Sequence, residues 1–200
     1  MEKTARLRVL HLVQMAILIA LIIVMQSFGA TIKVGPTSFS LVLIPIALGG
    51  MLVGKGGGAL LGLVFGIMTL MAGITGQDAF TQILFQDHPI LTSLICLGKG
   101  TAAGFGAGLI YELVSKKNAI VAGFLAAASA QILNTGLFIL GALLVSDTLS
   151  ANFVTEGSSL IYFLVIGCAG INFIVEFLVN LVVSPGLNIV VNVVTHNLKR

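Results

Sequence analysis

Charge is what this sequence has least of. Of 200 residues, 8% are charged, against roughly 25% in an average soluble domain. A chain this poor in charge cannot cover itself in water, so lipid must surround most of it. Tryptophan is absent, which leaves Tyr111, Tyr162 and some phenylalanines for any interfacial belt. The two cysteines, Cys96 and Cys168, both fall inside apolar runs and make neither a CxxC nor a metal spacing. They are expected to be small buried hydrophobes. The three histidines, His11, His88 and His196, lie far apart with no HExxH, and no G-x-S-x-G elbow occurs. No acid, base or nucleophile set emerges, so no enzyme, cofactor or metal is expected. The formal charge of +3 comes without a basic stripe interleaved with aromatics, so nucleic acid is not an expected partner.

What is present is apolar: 58% of residues are hydrophobic and the mean hydropathy is +1.13. A membrane-spanning helix needs about 20 mainly apolar residues. Candidate spans cover residues 9–28, 39–53, 59–74, 90–114, 119–145 and 160–183. The first run is as long as a full span with no clear small-residue cleavage site after it, so it is expected to be a membrane helix rather than a leader. The second and third are short, and a re-entrant hairpin is their alternative. With six spans, Lys3, Arg6, Arg8, Lys55, Lys116, Lys117, Lys199 and Arg200 share one side, while Lys33, Asp78, Asp87, Asp147 and Glu156 share the other. Basic residues collect in cytoplasmic connections. The expectation is a single all-α integral membrane domain over residues 1–200, a compact bundle of six transmembrane helices with both termini cytoplasmic. The outer connections, 29–38, 75–89 and 146–159, are the longer ones, and long loops tend to carry binding elements.

Gly54, Gly58, Gly62 and Gly66 recur every four residues, as do Gly100, Gly104 and Gly108. Lipid tails are as apolar as leucine, so helices associate where small residues admit close backbone approach. Both ladders are expected to be internal packing faces. Ala16 and Ala20 form a small-xxx-small pair among large neighbours on the first helix. The segment Gly49 to Gly56 nearly matches a phosphate-binding P-loop, but Gly56 stands where that loop needs Ser or Thr, and an apolar helix precedes it rather than a strand. Nucleotide binding is excluded there, and Lys55 reads as an anchor at the inner face.

The polar residues inside the spans carry the functional information. Lys99 falls roughly 12–15 Å below the outer end of its helix, and Asn134 and Asn172 roughly 15–18 Å below theirs, so the three share a layer. An ionisable group in hydrocarbon costs at least about 2.5–3.5 kcal/mol, and it normally faces a cavity or a partner. Lys99 is therefore a candidate for a substrate carboxylate or another acceptor, with internal pairing as the alternative. Asn134, Asn172 and Gln131 are candidates to orient a ligand, or else hydrogen-bonding glue between helices. Glu176 lies deeper and reads as structural or coupling. In the outer connection, Gln77, Asp78, Gln82, Gln86, Asp87 and His88 surround Phe80 and Phe85. Polar groups beside aromatics suit a small amphipathic ligand; an ordinary solvated loop is the alternative.

The order of features resembles one family. The first helix carries Ala16-Ile-Leu-Ile-Ala20. SLVLIPIALGGMLVGKGGGALLGLVFGI follows at 40–67, then HPILTSLICLGKGTAAGFGAGLIYELV at 88–114 and INFIVEFLVNLVVSPGLN at 171–188. Together these segments resemble the S components of energy-coupling factor (ECF) transporters, across nearly the whole chain. The resemblance implies six helices in a prokaryotic cell membrane and a pocket near the outer face. That pocket is built from the outer loops and the outward halves of helices four to six. It also implies a role as the substrate-capturing subunit of an ABC importer, alongside a transmembrane coupling subunit and two cytoplasmic ATPases, with Ala16 and Ala20 as the expected contact. Many relatives carry Pro-Arg where this chain has Gly98-Lys99. Lysine is a point charge without the guanidinium fork, so that contact does not carry over. A cationic Lys99 favours an acidic vitamin, and pantothenate is the expected ligand, with folate, nicotinate, riboflavin and a thiamine precursor as alternatives. The competing functions are a self-sufficient channel or secondary transporter and, last, a membrane enzyme acting on lipid.

Overall fold

The structure is a computed structural model describing residues 2–29, 33–34, 37–38, 41–154 and 159–199. Parts of two expected outer connections, residues 30–32, 35–36 and 155–158, and the first two residues of the expected second span lie outside them. The chain is almost wholly helical. Helix α1 (Glu2–Gly29) is followed by two two-residue strands, β1 (Lys33–Val34) and β2 (Thr37–Ser38), paired antiparallel. Then come α2 (Leu43–Val53), α3 (Lys55–Ile74), α4 (Ala79–Asp87), α5 (Pro89–Val114), α6 (Ala119–Leu143) and α7 (Ser146–Asn152). The last helix begins as one turn, α8 (Leu160–Tyr162), passes through a π-helical segment (Phe163–Gly170) and continues as α9 (Ile171–Lys199).

Among the described residues, five helical stretches are long and apolar enough to cross a membrane: Arg8–Gly29, Lys55–Ile74, Pro89–Val114, Ala119–Leu143 and Leu160–Thr195. The sixth, α2, has 11 residues. At about 1.5 Å per residue it covers roughly half the hydrocarbon core. Large apolar side chains cover the outside of the bundle, Leu12, Ile90, Leu140 and Val182 among them. Such a surface is stable against lipid and not against water.

Several boundaries differ from the sequence reading, α3 for one starting at Lys55 rather than at residue 59. The last helix does not stop at Val183 but runs through Pro185 to Lys199. Leu187, Asn188 and Val191 beyond the proline are buried, so packing holds the helix where local propensity would break it. Two of the expected outer loops contain helices, α4 and α7. Asp78 caps α4 by accepting from the Phe80 amide, and Pro89 then opens α5 at a position where its missing N–H costs nothing.

The glycine ladders form the centre of the fold, with α3 and α5 lying face to face. A Cβ on Gly58 would strike the Gly104 backbone, one on Gly62 the Gly100 carbonyl, and one on Gly66 would stand 2.6 Å from the Cys96 carbonyl oxygen. Each contact pairs a residue moving up α3 with one moving down α5, so the helices are antiparallel and in register. Between α2 and α3 the chain turns on Gly54 alone, at φ 88°, a conformation that only glycine adopts without strain. Glu112, near the end of α5, closes that turn. Its Oε1 accepts from the Lys55 amide at 3.1 Å and its Oε2 lies 3.4 Å from the Lys55 ammonium.

Candidate solute cavity

A cavity of about 110 Å³ opens inside the bundle beneath α4. One water needs roughly 10–15 Å³ on the same measure, so this hollow holds a small solute or a cluster of waters. Helices α1, α2, α3, α5, α6 and α9 all contribute to it, with the π segment and α4.

Lys99 enters from α5. Its ammonium lies 5.1 Å from the centroid of Phe138 on α6 and 5.8 Å from that of Phe65 on α3. Among the described residues no carboxylate lies within ion-pairing distance of it. Desolvated cation–π contacts contribute about 2 kcal/mol each, so two of them are comparable with the roughly 2.5–3.5 kcal/mol cost of a charge at the membrane centre. The two rings thus go far to offset the burial, and Lys99 also borders the open volume of the cavity.

Asn134 reaches the cavity from α6, and among the described residues no donor meets its buried Oδ1. Leaving such an oxygen dry costs about 1–3 kcal/mol. Asn172 and Glu176 line the floor from α9. Gln131 does not line the cavity. It lies fully buried behind it, where its Nε2 donates to Glu176 Oε2 at 2.9 Å and its Oε1 accepts from Asn180 at 3.3 Å. Gln131 thereby sets the orientation of the Glu176 carboxyl.

The sequence reading passed over the rest of that row. Asn172, Glu176, Asn180, Ser184 and Asn188 are spaced by four and all buried, one polar stripe down the face that α9 turns to α6. Asn188 fits the notch at Gly123 and donates to the Ile120 carbonyl. The i, i+4 spacing in an apolar helix was the available signal. Phe65, Thr69, Thr135, Phe138 and Gln26 also line the cavity unforeseen. Gln26, Thr69 and Thr135 are polar groups in apolar runs, the same signal that marks Lys99, whereas nothing in sequence separates Phe65 and Phe138 from ordinary core residues.

From α4, Asp78, Phe80 and Thr81 close the cavity. Asp78 Oδ2 accepts from the Thr81 hydroxyl at 2.6 Å. Phe80 packs against Phe138 and Phe153, with centroids 5.9 and 5.0 Å away. The second half of α4 faces elsewhere. Phe85 is half-buried, Gln86 is exposed, and neither reaches the cavity. Asp87 accepts from the Thr148 hydroxyl at 2.9 Å, and His88 Nε2 lies 3.3 Å from Asp147 Oδ1. These two residues fasten α4 to α7. The Asp147 carboxyl is held below its ordinary range, first by the Thr148 backbone N–H, with His88 adding to the effect.

With this geometry in view, the chain matches the family model described as "ECF transporter, substrate-specific component" over residues 10–188. The chain belongs to that family. No curated protein matches it. Substrate-specific components are multi-pass membrane subunits of transporters rather than enzymes, and membership implies both a solute to bind and an ECF module to work with. In this substrate-specific component, Ala16 and Ala20 are exposed on α1 beside the exposed Leu12 and Ile17. Met15, Leu18, Ile19 and Ile22 take the inward side of the same helix.

Proposed function

We propose that this substrate-specific component captures a small acidic vitamin, pantothenate, from outside the cell and passes it inward through an ECF-type ABC importer. Lys99, Asn134 and Asn172 contact the ligand, and Phe80 covers it. Gln131, Asp87 and His88 hold the surrounding elements in place. The partner is a transmembrane coupling subunit with two cytoplasmic ATPases, met along Ala16 and Ala20. The chain crosses the plasma membrane of a prokaryote six times, counting the short α2, with both termini in the cytoplasm. The distribution of basic residues supports that orientation.

The observation that carries this reading is the Lys99 ammonium, set between two phenylalanine rings in a solute-sized cavity with no carboxylate among the described residues paired to it. A carboxylate brought by a ligand supplies the missing partner through a charge-assisted hydrogen bond. The test is calorimetric titration of pantothenate into the detergent-purified protein and its Lys99→Ala variant. We expect the variant to bind at least about tenfold more weakly, since hydrogen bonds to charged groups contribute about 1.5–3 kcal/mol. Equal affinity removes Lys99 from the site. Native mass spectrometry of the purified protein identifies the bound molecule independently.

A further inference from the structure

Asn134 is set apart from the other buried amides of the bundle. Its Oδ1 is buried, and among the described residues no donor meets it. Buried oxygens without a donor also occur at Asn180, Ser184 and Asn188, but those residues do not line the cavity. Asn134 does. It stands one turn of α6 from Phe138, whose ring meets the Lys99 ammonium at 5.1 Å. Four residues rise about 6 Å along a helix. A carboxylate held by Lys99 therefore brings the next three or four atoms of its chain, at about 1.5 Å per bond, to the level of Asn134.

We infer that Asn134 reads an N–H group placed at that distance from the ligand's acid, so that the cavity selects N-acyl β-amino acids over acids with no donor there. The inference rests on the capture reading above and deepens it by naming the substrate class. Asn134 is then a specificity-determining residue. Lys99 holds the carboxylate, and the Asn134 oxygen accepts from the ligand's amide. The χ2 torsion of asparagine is broad, so that oxygen turns towards a donor in the cavity without any movement of α6. A ligand with an ester oxygen in place of the N–H sets acceptor against acceptor and leaves the buried oxygen unpaired. Sites built around a hydrogen bond reject an analogue that lacks it far more strongly than apolar sites reject a change of size.

The test uses pantothenate and its ester analogue, in which oxygen replaces the amide N–H while the carboxylate, the hydroxyls and the chain length are kept. Affinities are measured calorimetrically for the unmodified full-length protein and for Asn134→Leu. We expect the unmodified protein to prefer the amide by about tenfold or more, and Asn134→Leu to bring the two probes within about threefold of each other. Equal affinities in the unmodified protein overturn the inference and leave capture of an acid standing. So does a ratio that survives in Asn134→Leu, the result expected if Asn134 only joins helices and its loss weakens both probes together. If the unmodified protein binds neither probe, the ligand assignment and this inference fail together. Leucine keeps the shape of asparagine and leaves no acceptor unpaired, so the variant should fold. Should it not survive purification, Asn134→Ala must narrow the same ratio.

Discussion

The Lys99 ammonium lies 5.1 Å from the centroid of the Phe138 ring, across the interface between α5 and α6. Phe138 also touches Phe80, at 5.9 Å between centroids. One ring therefore joins the cavity's cation to the aromatic cluster that closes it, so a change in that cluster is felt at the charge.

Replacing Phe138 with leucine keeps an apolar side chain and removes the ring. We expect pantothenate affinity to fall about 2- to 30-fold, the range set by cation–π contacts of about 0.5–2 kcal/mol. Calorimetry on the detergent-purified variant measures it. An unchanged affinity shows that the ring does not help position Lys99.

The antiparallel glycine face gives a matched pair of substitutions. Gly62→Ala drives a methyl into the Gly100 carbonyl, whereas a Cβ on Gly98 meets nothing within 4 Å. Overpacking of this kind costs about 1–3 kcal/mol, while alanine is the better helix former at an unobstructed position. Gly62→Ala should lower the melting temperature in detergent, and Gly98→Ala should leave it equal or higher. Equal melting temperatures for the two variants contradict the packing described.

The link between α4 and α7 should weaken in acid. The folded Asp147 carboxyl titrates below its ordinary value of 3.8, so its contribution is complete above that value and disappears as the pH falls through the folded pKa. Protection of the α7 amides, corrected for the intrinsic pH dependence of exchange, should decline below about pH 4. Asp147→Asn should flatten that decline. An identical decline in the variant assigns the effect to another group.

Ala16 and Ala20 are exposed on α1, so enlarging them disturbs little inside this chain. In Ala16→Leu/Ala20→Leu, ligand binding by the isolated protein should stay within about twofold. ATP-driven uptake in cells carrying the whole module should drop about tenfold or more, because bulk at a small-residue contact keeps helices apart. Uptake at the unmodified rate places the partner contact on another face.

The membrane-embedded character of the chain and its glycine faces were legible early, because both depend on residue size and polarity repeated along one helix. Lys99, Asn134 and Asn172 stood out for the same reason: a polar group is conspicuous in an apolar run, and helical rise alone puts the three at one depth. Phe65 and Phe138 did not stand out, since a ring beside a cation reads in sequence like any other apolar residue. The α4 segment was half legible. Its composition suited either a ligand-binding element or an ordinary solvated loop, and which half faces inward followed from the Asp78 cap and from the docking of Asp87 and His88 on α7.

What the amino-acid order by itself determined was the solvent of this protein, its helical segments and the positions at which polar groups are buried, since each of these follows from local composition and helical period. Tertiary structure decided the rest. It turned Gln131 from a candidate ligand contact into the support of Glu176, carried α9 past Pro185, and brought one ammonium and two carboxyl groups to one cavity. Those outcomes depend on how separate helices face one another, and that is set by the summed packing of the bundle rather than by any single stretch of chain.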